Sequence, residues 1–437
     1  MYSVNADTLG ASKCVGQESI FMAFIAPGSI FSYVDYRNLW ISNLFVTIGA
    51  SAFPIALAVT VLDAGGSTTT LGLILASRVL SSVLLAPIGG VWADRLPRKL
   101  VMIGADIYRA LLMLGLVFIA TPNVPAWALA ALVFAMGAGE AFGYPASGAI
   151  LPSILPSDKL PAGNVLRSLG VRVAQVVGPG IGGFSVAVIG GRLTFAVTAA
   201  FFIIGTGLLA KIHENPRTVV EVAPSFISDL HEGLKTVWHT PWIAACIGMS
   251  SLQMMVVLAS ENVLLPVITR REFHTNTVFA TAAAMFSIGA SVSALIAMRY
   301  RVKHPGLIAV LVWGLFAFAP LVLAFPSSKT FIIIGYLIAG ISIGPWEAYW
   351  SSAIQREVPQ EIQGRVFSVD YMGTVGLMPI GLAFVGPVTH ALGERPFLIG
   401  AIIFHLVICG LLLLVPGVID LRSPKKVDSS QGEQFKA

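Results

Sequence analysis

The chain has 437 residues, of which 56% are hydrophobic and 11% charged, and its mean hydropathy is +0.83. A soluble domain carries about 25% charged residues, so this composition excludes a water-soluble enzyme or binding module and identifies an integral membrane protein. The net charge of +5 and pI near 9.1 do not point to nucleic acid, because the basic residues are scattered through short loops and not gathered on one face.

Residues 1–38 read as a cytoplasmic extension, since the apolar stretch Ile20–Pro27 follows Glu18 and is too short to cross a bilayer. A membrane helix needs about 20 apolar residues. Twelve stretches qualify: 39–62, 69–91, 101–120, 126–149, 164–188, 193–212, 243–267, 276–298, 306–325, 331–353, 367–389 and 396–418. The predicted fold is therefore all-α, with one six-helix bundle over 39–212 and a second over 242–418. Between them, 213–241 is the longest internal polar interval, and Phe226, Ile227, Leu230, Leu234, Val237 and Trp238 recur there at helical spacing. This predicts an amphipathic helix on the membrane surface. Residues 419–437 form a polar tail. With the N-terminus inside, the cytoplasmic side collects nineteen lysines and arginines, and the opposite side receives only Arg192, Arg270, Arg271, Lys329 and Arg395. The positive-inside rule then places both termini in the cytoplasm.

The halves read as copies. Pro156 and Pro359, Gly178-Pro179 and Gly386-Pro387, and the basic loops at Asp94 and Arg301 are all separated by 203 to 208 residues. Duplicated six-helix units place a binding site between the halves near the membrane midplane.

Between spans 2 and 3 lies Gly89–Lys99, GGVWADRLPRK. Asp94, Arg95, Arg98 and Lys99 cannot sit in hydrocarbon, so the segment is predicted as a tight water-facing turn, and Gly89 and Gly90 permit a close helix approach beside it. An ordinary basic loop is the plainer reading. Asp106 and Arg109, three residues apart on span 3, can join Asp94, Arg95 and Arg98 in a charge network.

Ionisable groups at membrane depth are costly and mark functional pathways by default. They are Arg78, Asp106, Arg109, Glu140, Arg172, Glu261 and Glu347. Glu140 is the most central acid. Desolvation and a neighbouring cation act on such a carboxylate in opposite senses, so a modest rearrangement loads or releases a proton; a permanent ion pair with Arg172 or Arg78 is the structural alternative. Glu261 lies toward the outer end of span 7 and Glu347 toward the inner part of span 10, and either can also be read as interfacial. Gly178, Pro179, Gly182 and Gly183 weaken span 5 and offer a packing face. Trp346, Tyr349 and Trp350, with Met254 and Met255, suit either a large apolar cavity or simple packing. Cys14, Cys246 and Cys409 have no metal-ligand spacing and imply neither a disulfide framework nor a zinc site. There is no GxxxxGK followed by serine or threonine and no HExxH, so no enzyme is expected.

Three strings carry a resemblance. GGVWADRLPRK resembles the signature loop between helices 2 and 3 of the major facilitator superfamily, with Pro97 where many members have glycine. GPGIGG (178–183) is similar to the end of the exporter signature in span 5, although Val165 and Ala174 replace two of its glycines. VPQEIQGRVFS (358–368) looks like the drug and siderophore exporter branch, which includes enterobactin and macrolide efflux proteins. The resemblance implies a monomer without cofactor in a bacterial inner membrane, exchanging protons for an amphiphilic drug or siderophore by alternating access. By carry-over, Glu140 holds the proton, Glu347 and Glu261 with Arg78 and Arg172 serve substrate or a second proton, and Asp94 latches the cytoplasmic side. An importer or uncoupled facilitator of the same fold, and a non-transporting receptor or scaffold, are the other readings.

Overall fold

The computed structural model describes residues 30–121, 124–214, 226–300 and 302–422. Most of the expected N-terminal extension and the tail from residue 423 lie outside the described residues. The first half contains α1 (Val34–Asp63), α2 (Thr68–Arg95), α3 (Arg98–Ile119) and α4 (Ala126–Ala149). A single helical run, Leu160–Leu209, follows; it breaks into α5 and α6 at Gly190, where φ is 80° and ψ is 163°. Glycine alone enters that region without steric cost. Helix α7 (Phe226–Trp238) leads to the second half. This half comprises α8 (Pro241–Phe273), α10 (Pro305–Ala324) and α11 (Lys329–Glu357), with α9 (Thr277–Arg299), α12 in two segments (Gln360–Gly376 and Met378–Leu392) and α13 (Glu394–Leu412). Eleven described helices are long and apolar enough to cross a membrane, and the broken run supplies two crossings, giving the twelve expected.

Several helices outrun the predicted apolar stretches. Helix α2 continues to Arg95, so the turn expected over Gly89–Lys99 contracts to Leu96 and Pro97, with the Leu96 amide still bonded to the Trp92 carbonyl at 2.9 Å. Hydropathy marks where hydrocarbon ends, whereas a helix goes on satisfying its own backbone groups into the interface.

The packing explains why the molecule is split at one end only. Away from the termini, both halves contribute to one continuous apolar core, which includes Phe53, Leu71 and Val133 from the first half and Val263, Val322 and Leu382 from the second. Toward the termini this core divides into two, one around Tyr36, Leu39 and Leu151 and one around Trp242, Trp313 and Val366. The halves meet through two symmetry-related helix pairs, α5 on α9 and α12 on α2. A Cβ on Gly183 would fall on Ala280 in the first pair, and one on Gly386 would fall on Thr69 in the second. Between membrane helices small residues do this work, because lipid removes the hydrophobic drive that joins helices in water.

Helix α7 rests on the first segment of α12. Glu232 pairs with Arg365, a Cβ on Gly233 would sit 2.7 Å from the Arg365 carbonyl, Val237 is buried, and Leu234 and Trp238 face outward.

Candidate functional site

A cavity of about 2260 Å³ lies between the halves, where the apolar core divides. It reaches the termini-side ends of the helices at Arg95, Pro305 and Arg356, and its deepest residues include Ser51, Arg78 and Leu258. Beyond that depth the halves touch, and Asp63 at the end of α1 pairs with Arg270 near the end of α8 at 2.6 Å. The cavity is thus open at the end carrying the termini and closed at the other.

Two ion pairs between helices sit on its walls. Arg78 of α2 donates to Glu140 Oε1 of α4 from Nε at 2.9 Å and Nη2 at 2.7 Å, and its guanidinium lies 5.7 Å from the Phe53 ring centroid. Arg172 of α5 donates to Glu347 Oε2 of α11 at 3.2 Å, which bridges the two halves across the cavity. Of the partners considered for Glu140, Arg78 is the one the fold brings to it.

Asp106 and Arg109 also line the cavity, paired with each other within α3. Arg109 lies 4.7 Å from the Phe202 ring centroid and along the small-residue face of α4, 3.2 Å from a Cβ placed on Gly143. The expected network joining this pair to Arg98 is not formed. Eight residues of helix separate Arg98 from Asp106, about 12 Å of rise. Arg98 instead donates to the Ala149 carbonyl. Glu214 caps the start of α3, accepting from the amides of Arg98 at 3.2 Å and Lys99 at 3.0 Å, as suits a carboxylate at a helix N-terminus. Arg95 is exposed. Gly89 abuts the α4 backbone at Ala141 and Phe142. Gly90 and Asp94 are helical in backbone.

The span 5 glycines divide by role. Gly178 and Gly182 pack on α1, where a Cβ would meet Ser51 Cβ at 2.6 Å and the Ala52 carbonyl at 3.0 Å; Gly183 faces the other half, and Gly180 faces nothing within 4 Å. Pro179 sits inside the helical run.

Glu261 departs from expectation. It is buried in α8, beyond Leu258 and away from the cavity, so it does not meet Glu347 at a common site. Its electrostatic neighbour is Tyr336 of α11, and Glu261 Oε1 makes no hydrogen bond to a described residue.

The second-half wall is aromatic. Trp346, Tyr349 and Trp350 all line the cavity; the Trp346 and Trp350 rings stack at 5.9 Å with 8° between planes, and Trp313 lies 5.6 Å from Trp346. Trp350 Nε1 donates to Asp370 Oδ2 at 3.1 Å. Asp370 escaped the sequence reading although it lies inside the predicted span 367–389, where an acid is itself a signal. His405, buried in α13, was missed in the same way. Its Nε2 is 3.0 Å from the Trp313 carbonyl, while Gln253 accepts from the Trp313 indole, so polar groups behind the wall hold that ring in place. A third overlooked signal is Asn43, Thr47 and Ser51 on α1, polar residues four apart that all line the cavity. Among the described residues no His, Cys, Asp and Glu cluster is placed to hold a metal.

The family profile described as Major Facilitator Superfamily matches residues 39–380. The multidrug efflux pump Tap of Mycolicibacterium fortuitum is 28% identical over 354 residues, covering 76% of this chain and 84% of the relative. Macrolide efflux protein A of Streptococcus pyogenes is 24% identical over 357 residues, covering 80% of this chain and 88% of that protein. Among solved structures, a D-xylose–proton symporter superposes with a TM-score of 0.69 at 13% identity, over 88% of this chain and 99% of that one; at that identity the likeness establishes the fold.

Proposed function

Because the chain belongs to the major facilitator superfamily, we propose that it is a secondary active exporter that exchanges protons for an amphiphilic drug or siderophore by alternating access. The bundles 39–212 and 242–418 rock about the central cavity, and 213–241 links them. Both termini are cytoplasmic in a bacterial inner membrane, so the open end of the cavity faces the cytoplasm, and the protein works as a monomer. Support for export comes from the multidrug and macrolide efflux relatives and from GPGIGG, whose Gly183 lies at the contact between halves.

The observation that carries the reading is the Arg78–Glu140 pair on the cavity wall. Protonating Glu140 cancels the charge that holds Arg78, so proton arrival weakens the tie between α2 and α4 and frees a guanidinium. Arg172 and Glu347 tie the halves across the cavity, and a ligand entering there competes with that tie. Glu261, next to Tyr336, serves a second proton and not the substrate. Asp94, with Gly89, Gly90, Arg95 and Arg98, latches the cytoplasmic end in the opposite state. Differential affinity of proton and substrate for the two states then drives the exchange.

The test is efflux from proteoliposomes with and without an imposed pH gradient, in wild type and Glu140→Gln. Gradient-dependent transport lost in the variant supports the antiporter. Transport indifferent to gradient and substitution would make the protein a facilitator.

A further inference from the structure

The two walls of the cavity are chemically unlike. On the first-half side, α1 presents Asn43, Thr47 and Ser51, and α5 presents Ser168, Arg172 and Gln175, each set on one helix face. Hydrogen-bonding groups dominate there, and Tyr144 is the only aromatic among the described first-half lining residues. On the second-half side the lining includes Trp313, Trp346, Tyr349, Trp350, Phe367 and Tyr371.

Charge on these walls is unbalanced as well. Each lining carboxylate is already engaged: Asp106 with Arg109, Glu140 with Arg78, Glu347 with Arg172, and Asp370 with the Trp350 indole. Arg167 is different. It donates to the Ser147 carbonyl at 2.7 Å and has no carboxylate partner among the described residues, which leaves most of its five donors for a ligand. Among the described residues the lining arginines number six against four carboxylates, so a cation entering the cavity meets a net positive field and an anion a favourable one.

We infer that the ligand is an acidic amphiphile, a carboxylate, sulfonate or phosphate carried on a flat aromatic ring system, with its ring on the Trp346–Trp350 stack and its anionic group on Arg167 and Arg172. This rests on reading the cavity as the substrate site. Guanidinium groups hold such oxyanions through paired charge-assisted hydrogen bonds, and indole faces hold the ring by offset stacking. Glu347 follows Trp346 directly in α11, so an anion that takes Arg172 from Glu347 is beside the tryptophan wall. Binding therefore replaces the protein's own bridge between the halves with a bridge made by the ligand, acid on one half and ring on the other.

The experiment uses the full chain in lipid vesicles and two naphthalene dyes that differ only in charge, one bearing a sulfonate and one a trimethylammonium group. Quenching of tryptophan fluorescence reads binding, and dye efflux under a pH gradient reads transport. The sulfonate is expected to bind at least about tenfold more tightly, and Arg172→Gln to weaken it by about tenfold while leaving the trimethylammonium dye unchanged or tighter. Arg167→Gln, which removes a side chain bonded to a main-chain carbonyl, is the second variant with the same expectation. Trp346→Ala weakens both dyes. Equal or tighter binding of the cation, no binding of either dye, or a sulfonate affinity unmoved by both arginine substitutions would overturn the inference. The two readings separate cleanly: efflux of the cation alone keeps the exporter and removes the acidic ligand, whereas the expected binding order without efflux of either dye keeps the ligand class and removes the exporter.

Discussion

Glu140 takes both hydrogen bonds from Arg78 on one carboxylate oxygen, Nε at 2.9 Å and Nη2 at 2.7 Å to Oε1. The other oxygen has no hydrogen bond to a described residue, and the side chains are 22% and 25% exposed, so the pair is held by protein yet reachable from the cavity. That combination suits a group that exchanges a proton without coming apart from its helix.

Glu140→Gln keeps the shape and one acceptor oxygen but cannot bind the proton. Initial rates of gradient-driven efflux should fall at least about tenfold, a barrier increase of about 1.4 kcal/mol, while ligand affinity measured by fluorescence quenching changes far less. An unaltered rate would remove Glu140 from the proton path.

Arg172 and Glu347 face each other across the cavity, 28% and 54% exposed, so their pairing contributes no more than about 1 kcal/mol to stability. Arg172→Glu and Glu347→Arg should each slow transport with little change in thermal unfolding, and the double exchange should recover part of the rate. Failure of the double variant to do better than either single one would show that the bridge is not what matters at these positions.

The glycines of the span 5 motif should separate on substitution. Gly180→Ala meets nothing within 4 Å and should be silent, whereas Gly183→Ala forces a Cβ onto Ala280 of the other half, an overpacking worth about 1–3 kcal/mol against the state closed at this end. Transport assays and distance measurements between spin labels on the two halves would register it as a shift toward opening at the end away from the termini.

At that same end, Asp63→Asn removes the partner of Arg270, 2.6 Å away. The pair is partly exposed and contributes about 0.2–1 kcal/mol, so the closed state should lose up to about fivefold in relative population. In a background free of Cys14, Cys246 and Cys409, a cysteine replacing Thr69, which packs against Gly386, should react severalfold faster with a water-soluble maleimide. A labelling rate equal to wild type would mean that apolar packing alone closes this end.

Outside the membrane, the His304 ring nitrogen 2.6 Å from Asp420 Oδ1 holds that carboxyl below the usual range, with Arg422 adding to the effect. A lowered folded value places this contribution to docking of the post-α13 turn above the ordinary carboxylate range, and it is lost as pH falls through the folded value. Protection of the Leu307 amide, which bonds the Ile419 carbonyl at 3.0 Å, measured as its exchange rate relative to the intrinsic rate at each pH, should fall toward acid pH in wild type and lose that dependence in Asp420→Asn.

Much of this was readable in the chain before folding. Hydropathy located each described helix that is long and apolar enough to cross a membrane, and the repeated offset of Gly178-Pro179 and Gly386-Pro387 corresponds to α5 and α12, the helices that form the paired contacts between the halves. The spacing of Leu234, Val237 and Trp238 announced α7. These signals survive in one dimension because bilayer thickness and helical periodicity act on consecutive residues.

Partnerships are another matter. That Glu140 meets Arg78, that Arg172 reaches Glu347, that Asp106 turns to Arg109 and away from Arg98, and that Glu261 is sealed from the cavity beside Tyr336 all depend on the rotation of each helix about its axis and on which helix it packs against. Residues 62 or 175 apart carry no mark of their pairing in the chain. The sequence by itself determined a duplicated twelve-helix membrane protein and the charges it places at membrane depth. Only the tertiary structure decided which charges neutralise one another and which wall of the cavity is aromatic, because helix packing is settled by small-residue contacts distributed over many helices at once.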